Sequence, residues 1–216
     1  MEKLPHALLE TAPPAAGCGA LVYAGDSGIE SRFVVVEPDA SLETLRQAIA
    51  GGATGIALIG CRTGADIQRL AVLLSVAEAE ENLAEGSTAI LAITDGILPA
   101  PASPQGFSGK TTRLAGLIWD QRSLVKTLGV EPARTANGEW PPTFAAARAA
   151  VLLAAAAAGI PAYDSDSDLA GEAFLADCER SRADGFFGRL ASDPTQMAII
   201  QTVYAGVRGS SGQARG

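Results

Sequence analysis

Short apolar runs of β-forming residues alternate along this chain with longer stretches in which apolar positions recur every three or four residues. That alternation is the pattern of strands and helices built around a parallel sheet. Seven runs read as strands, at 20–23, 33–36, 55–59, 89–93, 114–119, 160–163 and, more weakly, 186–190. Ser41 stands as a helix N-cap with Thr44 three residues on, Leu42, Leu45 and Ile49 fall on one face, and Gly51-Gly52 end the helix. The stretch 65–83 repeats the period with Ile67, Leu70, Leu73, Leu74 and Ala77, and 144–158 reads as a third helix closed by Gly159. Residues 99–112 and 129–142 are irregular, the second containing Asn137-Gly138, but neither is long enough to separate domains. The pattern therefore predicts one domain over 1–204 and a flexible Gly/Ser-rich tail over 205–216.

Composition narrows the class. With 48% hydrophobic residues, 216 residues can bury a full core, and an aromatic content of only 5% fits close-packed helices on a small-residue sheet, an α/β architecture. A net charge of −8 with no basic cluster argues against nucleic acid and anionic membrane surfaces as partners. The apolar stretch 149–160 is nearly all alanine and shorter than the roughly 20 residues a bilayer requires, and the first 14 residues are too broken by Glu and Pro for a signal peptide. Cys18, Cys61 and Cys178 form no CxxC pair, so they read as three small buried hydrophobes in a protein of the reducing cytoplasm.

Several familiar motifs fail on inspection. Gly109-Lys110-Thr111 suggests a phosphate loop, but the required first glycine would fall at Pro104, and a strand rather than a helix follows. Gly17-Cys18-Gly19 precedes a strand instead of following one, so it is no dinucleotide fingerprint. The single histidine, His6, lies among prolines near the N-terminus, a poor position for a catalytic triad. Lys3, Lys110 and Lys126 lie outside the apolar strands that would desolvate a Schiff-base lysine.

From residue 143 onward a specific likeness emerges. Phe144 to Asp164, running through Ala158-Gly159-Ile160-Pro161-Ala162-Tyr163, resembles the "ARSRVVLAARAAGIPAID" passage of the citrate lyase beta-subunit and HpcH/HpaI aldolase family. Gly188 to Gln196 resembles its "GKLAIHPAQ" segment. Weaker matches extend the likeness over nearly the whole chain: 124–129 to the helix after "GAEDL", 92–95 to "ALIET", and 55–67 to "GIVLPKVESAADV". The resemblance implies a TIM-barrel-like (β/α) barrel with its site at the C-terminal strand ends, and Mg²⁺-assisted carbon–carbon bond cleavage or formation in thioesters or 2-oxo acids.

The residues that carry that chemistry are mostly replaced. The family's arginine in "VRVN", glutamate in "ALIET" and aspartate in "GAEDL" fall at Val35, Thr94 and Ser123, the lysine of "LPK" at Gly60, and the histidine of "IHPAQ" at Asp193. Losing both carboxylates leaves too few protein oxygens to hold the ion. The resemblance so read implies a barrel with replaced metal-binding and catalytic residues, non-catalytic or changed in function, with no cofactor. The alternative is an active Mg²⁺-dependent lyase or aldolase with relocated ligands Asp95 and Asp120, each of which could instead cap the structure after its strand. Glu37, Thr94 and Asp164 are the candidate substrate-binding residues; Glu37 and Asp164 follow strands and either line the same mouth or are simply solvated. Expected partners are a small carboxylic acid or acyl-CoA, and further copies of the chain as a homo-oligomer.

The family opens on a strand resembling "SWLFVPG", whereas here residues 1–5 are short and polar and 5–9 already read as a helix. This predicts a seven-stranded barrel lacking the first strand. The edges near 20 and 187 would pair with each other or be covered by the N-terminal segment or a neighbouring chain.

Overall fold

The computed structural model describes residues 4–11, 20–24, 30–130, 134 and 138–205. All seven expected strands are present, and they are joined by an eighth, Ala7–Thr11. In chain order the strands are β1 (Ala7–Thr11), β2 (Ala20–Ala24), β3 (Glu30–Val36), β4 (Gly55–Leu58), β5 (Ala89–Thr94), β6 (Leu114–Trp119), β7 (Ala162–Asp164) and β8 (Gly188–Ala191). They form a closed barrel in sequence order. Among the described residues six helices wrap it: α1 (Leu42–Ala50), α2 (Gly64–Glu80), α3 (Gln121–Leu128), α4 (Pro142–Ala158), α5 (Gly171–Asp184) and α6 (Pro194–Ala205).

Two expectations are corrected. The first strand is not missing: residues expected to be helical form β1, which lies parallel to β8 and antiparallel to β2 and so fills the gap between the two predicted edges. Ala, Leu and Glu favour a helix in isolation, but unpaired edges on both sides offer this segment two ladders of hydrogen bonds, and that tertiary context overrides propensity. The sheet is also mixed rather than all parallel, because β2 runs antiparallel to both β1 and β3. The tail expected over 205–216 lies outside the described residues apart from Ala205, and Cys18 lies outside them too.

The barrel interior is filled, not hollow. Leu8, Leu21, Phe33, Ala57, Leu91, Ile93, Ala115, Ile118, Tyr163 and Leu190 pack into one buried cluster inside the strands. A second, larger cluster lies between the sheet and the helices, with Ile56, Ile67, Leu74, Ile90, Leu117, Trp119, Val151 and Phe174. Helix starts follow local chemistry: the Ser41 hydroxyl accepts the Thr44 N–H at 3.1 Å, and Asp66 accepts the Thr63 N–H at 2.8 Å. No helix follows β5; Phe107 from that connection is buried in the outer cluster, and Lys110 Nζ donates to the Pro104 carbonyl at 2.7 Å. The phosphate-loop likeness at 109–111 thus sits in an irregular crossover.

The N-terminal strand is locked at its start. Arg189 N–H donates to the His6 carbonyl at 2.9 Å, Tyr163 Oη donates to the Pro5 carbonyl at 2.8 Å, and the His6 ring packs 4.4 Å from that of Phe187. Gly188 permits this approach, since a Cβ there would collide with the His6 carbonyl. Gly188→Ala is therefore expected to cost about 3 kcal/mol by overpacking, read as a lower denaturant midpoint. A neutral effect would mean that β1 does not pair with β8 as described.

On the far side of the barrel, Glu78 of α2 is fully buried and forms two bonds with Arg113, at 2.6 and 2.7 Å, while accepting the N–H groups of Thr88 and Gly86. Burial alone would raise the Glu78 carboxyl, but the Arg113 guanidinium and these N–H donors hold it down at about 2, against an ordinary 4.5. With the folded pKa depressed, the unfolded chain binds the proton more tightly. This stabilisation is therefore complete above the ordinary carboxylate range and is lost as the pH falls from 4.5 toward 2. Denaturant midpoints measured across that window should fall steeply in the wild type, and the slope should flatten in Glu78→Gln.

Candidate functional site

In such a barrel the C-terminal strand ends carry the chemistry. Here they present Glu10 after the middle of β1, Glu37 after β3, Thr94-Asp95 at β5, Asp120 after β6, Asp164-Ser165-Asp166 at β7 and Ser192 after β8. Thr94, Asp95 and Asp120 come together on neighbouring strands, with the Asp120 N–H donating to the Thr94 carbonyl at 2.8 Å. Glu37 is exposed and borders a small cleft with Asp66 and Arg69. Asp164 faces the helices rather than the barrel interior.

Asp95 and Asp120 at the mouth already have side-chain partners. Asp95 is buried; one oxygen accepts the Ile97 N–H at 3.0 Å, and the other accepts the Arg62 guanidinium and, at 3.4 Å, the Thr127 hydroxyl. Thr94 Oγ1 accepts the Gly96 N–H at 3.2 Å, so both side chains hold the turn after β5. Gly96 has φ +86°, and a Cβ there would strike Ala147, so only glycine fits that turn. Asp120 caps α3: Oδ1 accepts the N–H groups of Arg122 and Ser123 at 3.0 and 3.3 Å, and Oδ2 accepts the Ser123 hydroxyl at 2.6 Å.

Arg122 then gathers acids from three strand ends. One of its nitrogens donates to both Glu10 oxygens at 2.8 and 2.9 Å, while Asp166 lies 3.5 Å and Asp120 3.8 Å away. Burial would weaken the proton affinity of Arg122, but Glu10, Asp166 and Asp120 raise it instead. A hard divalent ion needs six or more oxygens, with carboxylates free to turn toward it. Asp95 and Asp120 direct their oxygens at N–H, hydroxyl and guanidinium donors, so as arranged they do not fit such an ion. Among the described residues no group of three or more His, Cys, Asp or Glu is disposed to hold a metal.

Behind β7 and β8 lies a second, deeper set of charges, of which the sequence reading named only Asp164, and for a different role. Arg189 is 1% exposed in the middle of β8; it donates to the Ser165 carbonyl at 2.9 and 3.1 Å and to Asp177 at 2.9 Å. Arg134 and Arg180 also pair with Asp177, and Arg148 bridges Asp164 at 2.8 Å to Asp184. Burial works to raise Asp164 and Asp177, yet Arg148 and Arg189 on the first, and Arg189 and Arg134 on the second, hold both below the ordinary carboxylate value. The nearby Cys178 thiol is pushed up by burial, as is that of Cys61 at the mouth. A charged residue inside the apolar run 186–190 was the available signal, because an arginine there must be buried with a partner. A groove of about 580 Å³ between α4 and α5 borders this network, lined by Arg134, Trp140, Arg148, Leu152, Arg180 and Asp184.

Comparison with known proteins agrees with this architecture. No protein-family model and no curated protein sequence matches the chain. Among solved structures, RipC from Yersinia pestis matches with a TM-score of 0.61 and 22% identity, over 79% of this chain and 74% of its own. A citrate lyase from Burkholderia xenovorans LB400 matches at 0.63 with 15% identity, over 79% of this chain and 56% of that one. The protein CitE from Mycobacterium tuberculosis, in complex with magnesium and acetate, matches at 0.60 with 21% identity, over 80% and 68%. The same protein has been solved with magnesium, acetoacetate and coenzyme A. At these identities the likeness establishes a shared fold: the chain has the barrel of the citrate lyase beta subunit and RipC.

The two charge sets should respond differently to substitution. Asp164→Ala leaves the buried Arg148 with only the exposed Asp184 and takes a neighbouring negative charge from Arg189, and is expected to cost about 3 kcal/mol. Glu10→Gln removes a partly exposed pair with Arg122 and should cost no more than about 1 kcal/mol. Chemical denaturation of the two variants reads both values, and a small loss at Asp164 would contradict its placement in the buried network.

Proposed function

We propose that this chain is a citrate lyase beta-subunit-like barrel protein whose metal-binding and catalytic residues have been replaced, a cytoplasmic single-domain paralogue that is non-catalytic or changed in function. The observation that carries this reading is the matching of acids with arginines at the mouth. Asp95 is engaged by Arg62, Asp120 by the start of α3, and Glu10 and Asp166 gather on Arg122. Where a metal-dependent lyase needs carboxylates facing an ion, this chain supplies fixed positive charge from its own side chains.

The ligands seen in the CitE structures make a small carboxylate or an acyl-CoA the class to test for residual binding. Arg62, with its side chain 47% exposed, and Arg122, with 53%, are the cations at the mouth that a carboxylate would meet. Glu37 and Thr94 belong to the same face in this proposal, whereas the Asp164 carboxylate acts through the buried network.

Calorimetric titration with Mg²⁺ and Mn²⁺, with and without oxaloacetate, tests the reading. The expected result is no saturable metal binding, and any carboxylate binding should be independent of the metal and weakened by Arg62→Gln or Arg122→Gln. Micromolar metal affinity abolished by Asp95→Ala or Asp120→Ala would replace this proposal with an active lyase that uses relocated ligands.

A further inference from the structure

Helix α4 has one charged residue in its 17, Arg148, and that side chain turns inward to Asp164. An outer helix ordinarily carries charge on its solvent side. Here Ala145, Ala149 and Leu152, spaced four and three residues apart and so on one face, form an apolar wall of the groove between α4 and α5. Along α5 the spacing three and four presents Asp177, Arg180 and Asp184, so the facing wall is charged. Trp140 completes the lining, with the Arg134 guanidinium 3.8 Å from the centre of its ring. Beneath it the fully buried Trp119 packs edge-on at 5.2 Å, its indole N–H without a partner among the described residues. A space of about 580 Å³ falls within the roughly 300–1,000 Å³ of small-molecule sites.

The acids of the charged wall are covered by arginines, and the arginines are held in place. Asp177 receives Arg134, Arg180 and Arg189 together, and Asp184 receives Arg148. One carboxylate cannot neutralise three cations, so this wall keeps a positive character toward an added anion. Arg180 reaches Asp177 at 3.3 Å and lies against Gly138, where a Cβ would stand 2.6 Å from the guanidinium. Gly138 has φ +76°, so glycine both makes this turn and leaves room for the arginine. The Arg180 side chain is still 45% exposed, a fixed cation that faces the groove. Glu139, the remaining acid of the lining, is exposed and adjoins Trp140, which places the favourable position for an anion at the α5 wall. We propose that this groove is a ligand site separate from the mouth, and that it takes a flat aromatic acid, with the ring against Ala149 and Leu152 and the carboxylate on Arg180. The two walls select that class. A ring without an acid leaves the guanidinium unmet, and an acid without a ring leaves the α4 wall in water.

Calorimetric titration of the full chain with naphthoate, run beside naphthylmethanol and acetate, provides the test, and ¹⁵N amide shifts locate the ligand. Naphthoate is expected to bind saturably and to shift amides along 145–152 and 177–184. The uncharged ring and acetate should each bind at least about tenfold more weakly. Arg180→Gln should weaken naphthoate about tenfold. Ala149→Glu, which sets a carboxylate on the apolar wall, should abolish binding. Both positions are exposed, so both variants should melt as the wild type does. No saturable binding, or shifts confined to the strand ends at 94–96 and 120–122, would overturn the proposal. Naphthylmethanol binding as tightly as naphthoate, or undiminished binding by Arg180→Gln, would overturn the place given to the acid. None of these outcomes bears on metal binding at the mouth, so the groove and the proposed function stand or fall separately.

Discussion

A sheet becomes a barrel only when its first and last strands meet, and here the meeting depends on five residues, Ala7–Thr11. β1 bridges β8 on one side and β2 on the other. Without it, two ladders of backbone N–H and C=O groups would face solvent. The closure also sets the interior: Leu8 of β1 is fully buried in the cluster that includes Leu21, Tyr163 and Leu190. Pairing at this point is tight enough that Gly188 cannot carry a side chain, and the lone histidine packs its ring against Phe187 and hydrogen-bonds the Phe187 carbonyl.

Closure reaches the mouth as well. β1 delivers Glu10 to Arg122 across 112 residues of sequence, so the strand that completes the ring also supplies a carboxylate at the site. The mouth and the outer network share a logic in which acids are held by arginines, but the energetics differ. At the mouth the arginines are half exposed, and the Arg122–Glu10 pair contributes little stability. Behind β7 and β8 the same ion types are dry and interlocked, so removing one leaves a partner uncompensated. The second set holds α4 and α5 on the barrel.

Much of this was legible in the amino-acid order, for physical reasons that can be named. The runs 20–23, 89–93 and 114–119 are apolar on both faces or nearly so, as strands between a filled interior and a helical layer must be, and they appear at those positions. The Ser41 and Gly159 helix boundaries follow from capping chemistry that is local in sequence. β1 was not legible, because Ala7-Leu8-Leu9-Glu10 is a helix-favouring string that becomes a strand only through partners far along the chain. The antiparallel course of β2 was hidden for a related reason, since a strand's direction leaves no mark in its side-chain period. At the site, sequence spacing brought out Asp95 and Asp120 but not Arg62 and Arg122, which no motif sets apart until the fold places them beside those acids.

In the proposed reading Asp95 and Asp120 are held by the chain's own guanidinium, hydroxyl and N–H donors rather than reserved for a metal. The most direct measurement is Mn²⁺-induced broadening of backbone amide signals in the ¹⁵N-labelled protein. The account predicts no selective broadening at Thr94, Asp95, Gly96, Asp120 and Asp166 under substoichiometric Mn²⁺. Broadening confined to those strand-end residues, and reversed by excess Mg²⁺, would contradict it.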